Sequence, residues 1–442
     1  MMNTFFEYQD DKEYKYKILV YPNITFMKDL EKDSYVVVLR NVIKELNKVR
    51  DDIHWTILSP KHVKSLAFDN TEQLIINLPS YPNKMRTHFN ADEIMKVIDW
   101  RNNDYDILYS HLPEQTLALK NLFHNSTNLS PKIIGYSHWF EVKENSNYEP
   151  TMLAQNLLGV LQMDECGVNS EWLKEFVIKK SKELFTDKQV NQLEKIIQPH
   201  YLGIDDVSPN HKYEPKTILF NHRDNDYTGY SWFVEQMDKL YEKRQDFKVF
   251  TTLTNLDRAY AERVKLSSRK EYLNFVRKMH MGVGCFKTYS AWSISTTDGL
   301  SQGVPYVLPN KLCYPEMVGK DYPLLYEEKD FLTIIENMLD NPNAREEANT
   351  YLAPLLPDFK WSGRVLRWFD DWKQLDDLKV IQDTDGYQRI LKFINRKKSV
   401  SKKDILEHLG WGVRVGWSSY RNRLRAESTI KFTKNRYEVI KK

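Results

Sequence analysis

The stretch KTYSAWSISTTDGLSQGVPYVLPN, residues 287–310, carries the most concentrated chemistry in the chain. A strand, MGVGCF, ends at Phe286, and a hydroxyl-rich loop leads into a helix expected from about Ile294 to Gln302. Main-chain N–H groups at such a helix start, with the hydroxyls of Thr288, Tyr289 and Ser290, suit an anion such as a diphosphate. Asp298 lies further along the same helix, where a carboxylate can accept two hydrogen bonds from vicinal hydroxyls of the kind a ribose presents. Arg223 follows the strand TILFNH directly, and Lys287 opens the hydroxyl-rich loop. Earlier in the chain, His138 follows KIIGYS and His111 follows YDILYS, each directly past a strand; Glu141 is three residues beyond His138. A histidine near neutral pKa can take a proton from an attacking hydroxyl, and a nearby carboxylate can do so in its place or orient the ring.

The elements that must position these groups alternate. YKILVYP, IHWTILS, QLIINL, YDILYSHLP, KIIGYSHWF, VLQMDECGVNS and KIIQPHYLGI read as strands, separated by amphipathic stretches such as SYVVVLRNVIKELNKV and EWLKEFVIKKS. A second alternating set starts at Lys216 with TILFNHR, FKVFTTL, MGVGCF and YVLP, and closes with FLTIIENMLD, AREEANTYLAPLL and WSGRVLRWFDDW. The pattern implies an α/β chain of two Rossmann-like domains, 1–204 and 205–380, each a covered parallel sheet with its ligand edge at the carboxyl ends of the strands. The 442 residues are too many for one core and fit this division.

Past the polar connector KQLDDLKVIQDTDG the character changes. Residues 386–442 hold 16 Lys and Arg against 4 Asp and Glu, while residues 1–385 hold 48 against 57. YQRILKFINRKK and SKKDILEHLG read as short amphipathic helices, with Ser401 as an N-cap, and GWSSYRNRLRA reads as a third. STIKFTKNRYEVIKK reads as a hairpin turning at Lys434 and Asn435, which completes a winged-helix arrangement over 386–442. Such a basic unit points to an anionic polymer, and phosphate contacts are expected from Lys402, Arg414, Arg421, Arg423, Arg425, Lys431, Lys434 and Arg436.

The two larger domains resemble GT-B glycosyltransferases, in which an acid, seven residues and a second acid precede a small-residue helix end and Gly-x-Pro. Here Ser290 and Asp298 occupy the acidic positions, before GLSQGVP. The resemblance implies that Asp298 binds donor ribose, and that Arg223 and the residue before Gly229, here Thr228, face the donor diphosphate. The family carries Lys at that second position, so Lys287 or Arg258 is expected to replace the missing charge. With the basic unit, the chain is similar to phage DNA glucosyltransferases, which carry an acid or a His-Asp pair at the strand end that His138 occupies here. That likeness implies transfer of glucose from UDP-glucose to the hydroxyl of a 5-hydroxymethylpyrimidine in DNA, the target base flipped from the duplex. His138, Glu141 or His111 would act on the acceptor, and no essential cofactor or metal is expected. HR after the first strand of the second domain, with RKEYLNFVRKMHMGVGCF, is also similar to a tRNA-queuosine mannosyltransferase-like group. A DNA-binding sensor of nucleotide sugars, without turnover, remains a third reading.

The absence of a secretory start and of a membrane-length apolar run points to a soluble cytoplasmic protein, consistent with a phage protein in its host, and a monomer is expected. Cys166, Cys285 and Cys313 are too few and scattered for a disulfide framework or a structural zinc site.

Overall fold

The run KIIGYS is buried along its whole length as a strand, and parallel sheets provide cover on both faces for such strands. The computed structural model describes residues 14–24, 30, 33–61, 63, 66, 68, 70–77, 89–98, 105–127, 131–145, 150–204, 207–208, 212–374, 384–408, 424, 430–433 and 436–440. Its first sheet contains β1 (Tyr16–Tyr21), β2 (Ile53–Pro60), β3 (Thr71–Ile76), β4 (Ile107–Ser110), β5 (Lys132–Ser137), β6 (Glu165–Val168) and β7 (Ile197–Pro199). All seven are parallel in the order β3-β2-β1-β4-β5-β6-β7. The order reverses between β1 and β4, so the loops after these strands flank the crevice where such sheets bind ligands.

The second sheet repeats the plan with β8 (Thr217–Phe220), β9 (Lys248–Thr251), β10 (Ala261–Arg263), β11 (Met281–Val283), β12 (Tyr306–Pro309) and β13 (Leu325–Tyr326). They are parallel in the order β10-β9-β8-β11-β12-β13, with the reversal between β8 and β11. The hydroxyl-rich segment that starts at Lys287 thus leaves the central strand β11 at the ligand edge.

The helix Trp361–Gln374 closes the second alternating set in sequence but packs on the first domain. Trp361, Val365, Trp368, Phe369 and Trp372, one face at helical spacing, are buried in the first core. The Lys132 ammonium donates to the Trp372 carbonyl at 3.2 Å. Ile204 and Lys360 form a parallel bridge where the chain leaves the first domain and returns to it, so the domains are joined by two neighbouring segments.

The C-terminal unit has its own core of Ile390, Phe393, Ile394, Val400, Ile405, Leu406, Leu424, Ile430 and Tyr437. The helix Thr384–Lys397 leads to β14 (Ser399–Ser401) and the helix Lys402–His408; β15 (Ile430–Thr433) and β16 (Arg436–Val439) form the expected hairpin. β14 adds a third antiparallel strand beside β16. Ser401 caps the helix as expected, its Oγ accepting from the Asp404 N–H at 3.2 Å while Asp404 accepts from the Ser401 N–H at 2.8 Å. Apart from Leu424, the expected third helix lies outside the described residues, as do Arg414, Arg421, Arg423, Arg425 and Lys434. No helix among the described residues is long and apolar enough to cross a membrane.

Candidate active site

The helix carrying Asp298 spans Ile294–Ser301 and starts at Ser293, whose Oγ accepts from the Thr296 N–H at 3.2 Å. Two glycines fit it into place. Gly299 lies against the Tyr306 ring, where a Cβ would come within 2.1 Å of a ring carbon. Gly303, at a φ of 76°, ends the helix in the left-handed conformation, and its carbonyl accepts from the buried Arg345 guanidinium at 2.7 Å. Gly-Val-Pro then feeds β12. This packing leaves Asp298 only 6% exposed, with its carboxylate gripped by Arg269: Nη1 to Oδ2 is 2.6 Å and Nη2 to Oδ1 is 2.5 Å. Arg269 stands 29 positions earlier in the chain, at the start of the stretch RKEYLNFVRKMHMGVGCF, where the sequence gives it no role at the donor site.

A buried polar network holds the end of β8 against the same helix. The Asn221 amide donates to the Tyr272 hydroxyl at 2.7 Å and the Ser295 carbonyl at 3.0 Å, and its oxygen accepts from Tyr306 at 3.1 Å. His222 is buried beside Phe286, and burial pushes its pKa down to about 4. Arg223 is exposed on the loop beyond.

Thr228 departs from the donor-facing role expected of it. It is 2% exposed, and its hydroxyl lies 2.7 Å from the Arg223 carbonyl and 2.6 Å from that of Asn225. Those two carbonyls hold the hydroxyl inside the turn, and Gly229, at a φ of 72°, follows it so close to the Cys285 carbonyl that no side chain would fit there. Thr228 therefore shapes the loop. Lys287 is the cation beside it, exposed and held by its main-chain N–H at 3.2 Å from the Tyr227 carbonyl. Arg258, the other expected substitute, is paired with Asp238 at 2.9 Å. Lys287 also borders a cavity of about 250 Å³ floored by Trp232, Phe286 and Tyr326.

Of the hydroxyl-rich loop, Thr288 is exposed and reaches the Glu144 carbonyl of the first domain at 3.3 Å. Tyr289 is buried in the first core against Trp172 and Phe176, and Ser290 is buried with its Oγ 3.4 Å from the Tyr314 hydroxyl. Tyr289 thus joins the domains and Ser290 packs the loop against its own domain, rather than lining an open surface. Glu316 joins them too: its carboxylate accepts from the Glu171 and Trp172 N–H groups at 2.7 and 3.1 Å, capping a first-domain helix from the second domain.

In the first domain, His138 follows β5 beside Tyr35, ring centroids 4.3 Å apart. Burial pushes its pKa down to about 4, against an opposing contact with the Ser34 backbone and the charge of Asp33. Nε2 has no hydrogen-bond partner among the described residues. Glu141 is half-buried, its main-chain N–H donating to the Asn156 amide oxygen at 3.2 Å. His111 differs from the strand-end role expected of it: it is 0% exposed, enclosed by Tyr35, Tyr109 and Tyr136, with its pKa pushed down to about 3. Both ring nitrogens of His111 and the Nε2 of His138 are covered, but His138 keeps 7% of its surface and His111 none, so His111 is the less able of the two to meet an acceptor.

These neutral histidines make the fold acid-sensitive. His111, His138 and His222 bind protons less readily folded than unfolded, so their stability contribution is complete above about pH 6.5 and is lost as pH falls toward 3–4. Each is worth on the order of 3–5 kcal/mol when fully lost. Thermal melts should be level from pH 7 to 8 and fall steeply below 6. His111→Phe, which keeps a ring and removes the titration, should make that fall shallower.

In the C-terminal unit, Arg436 is turned onto its own sheet, donating to the Ser399 hydroxyl and carbonyl at 2.9 and 3.0 Å, and Lys431 pairs with Glu438 at 3.5 Å. Lys402 is half-buried at the start of its helix. Three further exposed cations, Arg389, Lys392 and Arg396, share one face of the helix Thr384–Lys397 at i, i+3 and i+7 spacing, a grouping that emerges only once the helix is in place. Among the described residues, no group of three His, Cys, Asp or Glu side chains is placed to hold a metal ion.

No protein-family model and no curated protein matches the sequence. Solved structures match in fold. Sucrose-phosphate synthase from Thermosynechococcus elongatus aligns with a TM-score of 0.64 at 10% identity, over 83% of this chain and 100% of its own. A trehalose-6-phosphate structure from E. coli bound with UDP-2-fluoro glucose aligns at 0.58 and 12% identity, covering 81% of this chain and 99% of that one. Anabaena Alr3699/HepE in complex with UDP-glucose aligns at 0.57 and 9%, covering 81% and 99%. At these identities the likeness is one of fold, and the chain has the GT-B arrangement of two Rossmann-like domains.

Proposed function

We propose that this chain is a glycosyltransferase that moves a sugar, glucose first among the candidates, from a nucleotide donor to the hydroxyl of a 5-hydroxymethylpyrimidine in DNA. The observation that carries the transferase reading is the pairing of sites at strand ends. In the second domain Asp298 is paired with Arg269, while Arg223 and Lys287 are exposed on the loops that follow β8 and β11 at the ligand edge; in the first, His138 directly follows β5, one strand from that sheet's reversal. Two solved structures with this fold are a UDP-glucose complex and a UDP-2-fluoro glucose complex, which supports a UDP-sugar donor. The acceptor reading rests on the basic C-terminal unit with its separate core.

Transfer forms a bond between the acceptor oxygen and the anomeric carbon, breaks the bond from that carbon to the diphosphate oxygen, and releases the acceptor proton. Arg223 and Lys287 would stabilise the departing diphosphate. His138 Nε2, neutral at pH 7, is the group for the proton. Duplex DNA would have to expose its target by flipping the base out of the stack.

Asp298→Ala should weaken donor binding about ten- to hundredfold in calorimetry, because a charge-assisted hydrogen bond to ribose disappears, with DNA binding intact. Unchanged donor affinity would remove Asp298 from the ribose.

The deciding experiment is mass spectrometry of nucleosides from hydroxymethylated DNA, and from tRNA, incubated with the protein and a panel of nucleotide sugars. A hexosylated hydroxymethylpyrimidine nucleoside is expected. Product in tRNA alone would move the acceptor to a modified tRNA base, and no product from any donor would leave a binding protein.

A further inference from the structure

We propose that Arg269 is a positioning residue for the donor ribose, setting the plane and ionisation of the Asp298 carboxylate so that this chain prefers ribonucleotide over 2′-deoxyribonucleotide donors. The inference rests on the donor-site reading above and adds to it a residue outside the acid-x7-acid segment.

Asp298 lies in the buried run Thr296–Ser301, where an ionised carboxylate without a partner is strongly disfavoured. Arg269 supplies that partner as a fork, one nitrogen to each oxygen, at 2.6 and 2.5 Å. A planar fork fixes the carboxylate plane, which a single ammonium would not. The fork is itself supported. Arg269 opens the helix Arg269–Val276, capped by Ser268, and its guanidinium stands 5.8 Å from the ring centroid of Tyr272. The Tyr272 hydroxyl bonds Asn221, whose amide also holds Ser295, one turn before Asp298. Ion pair, strand end and helix therefore form one unit. The Arg269 side chain is 34% exposed against 8% for Asp298, so it forms the rim where a ligand would enter.

A carboxylate accepts about four hydrogen bonds, and the fork takes one on each oxygen. Because the fork fixes the plane of the carboxylate, vicinal hydroxyls that bond to it are held in one orientation of the ribose. A donor lacking the 2′-hydroxyl forfeits that match.

Calorimetric binding of UDP and 2′-deoxy-UDP to the full-length protein tests this, using wild type, R269Q, R269K and D298N. Wild type should prefer UDP by about tenfold or more. In R269Q and D298N that preference should collapse to about twofold or less, with R269K between. An arginine that merely supports the fold would weaken both nucleotides equally, so a preserved ratio in R269Q overturns the proposal, as does a wild type that binds both alike. Should R269Q fail to fold, R269K, which keeps the charge without the fork, carries the same test: an unchanged ratio there overturns it. A wild type that binds neither UDP, ADP nor GDP would show instead that the donor-site reading had failed, and this inference with it.

Discussion

His138→Ala is expected to lower turnover by about a hundredfold or more while both substrates still bind, because it removes the group placed for the acceptor proton. The environment of His138 adds a second, sharper expectation. Burial holds its pKa near 4, so the proton-accepting form is already fully populated well below neutrality. Turnover should therefore be level from about pH 6 upward and fall only as pH approaches 4–5, where an unperturbed histidine would give a midpoint near 6.5. Circular dichroism in the same buffers separates this titration from acid unfolding, which the other buried histidines will promote. A weak base in a dry site also makes His138→Gln informative. Glutamine keeps a polar contact to the hydroxyl but cannot take its proton, so it should bind DNA like wild type and turn over like alanine. Near-normal turnover in both variants would move the assignment to Glu141; His111, wholly buried beside Tyr35, is less able than His138 to meet the acceptor.

Elements are legible in the sequence where the forces that determine them are local. The central strands announce themselves as apolar runs because they are covered on both faces. β10 and β13, three and two residues long at or near the sheet edges, bury too little to leave such a signature. The helix Asp187–Ile196 is hidden because it passes into β7 at Ile197 with no intervening turn residue. The aromatic face of Trp361–Gln374 shows that the helix is buried, but periodicity does not say against which domain, and it crosses to the first. At the site, Ser293, Asp298 and Gly303 belong to one local unit and are readable together. Arg269 reaches Asp298 only through the packing of two helices, and although it opens the stretch RKEYLNFVRKMHMGVGCF, nothing there marks it as the partner of an acid 29 positions on. His111 and His138 look alike in sequence, since both follow a strand; the enclosing tyrosines distinguish them.

Ending the chain after Gln374 should weaken DNA affinity about a hundredfold or more while nucleotide binding survives. The cut falls at the end of the helix that closes the first core, and the C-terminal residues it removes pack in a core of their own, so neither larger domain is deprived of its interior. It removes 17 basic and 8 acidic residues and leaves 47 basic against 53 acidic, a body that repels a polyanion at long range. Each phosphate that the shortened chain no longer neutralises should also flatten the slope of log affinity against log salt by about 0.9. Arg389, Lys392 and Arg396 provide a version of the test that leaves the core alone, because all three are exposed while Ile390, Phe393 and Ile394 of the same helix form the buried face. Replacing all three by glutamine should reduce the slope by up to about 3 and leave the melting temperature within a few degrees. Activity on duplex should drop through KM in both proteins, with kcat at saturation nearly kept, since the donor rim and His138 are untouched. A truncated protein with full DNA affinity and an unchanged salt slope would show that the basic unit serves a different partner, and that any DNA contact belongs to the two larger domains.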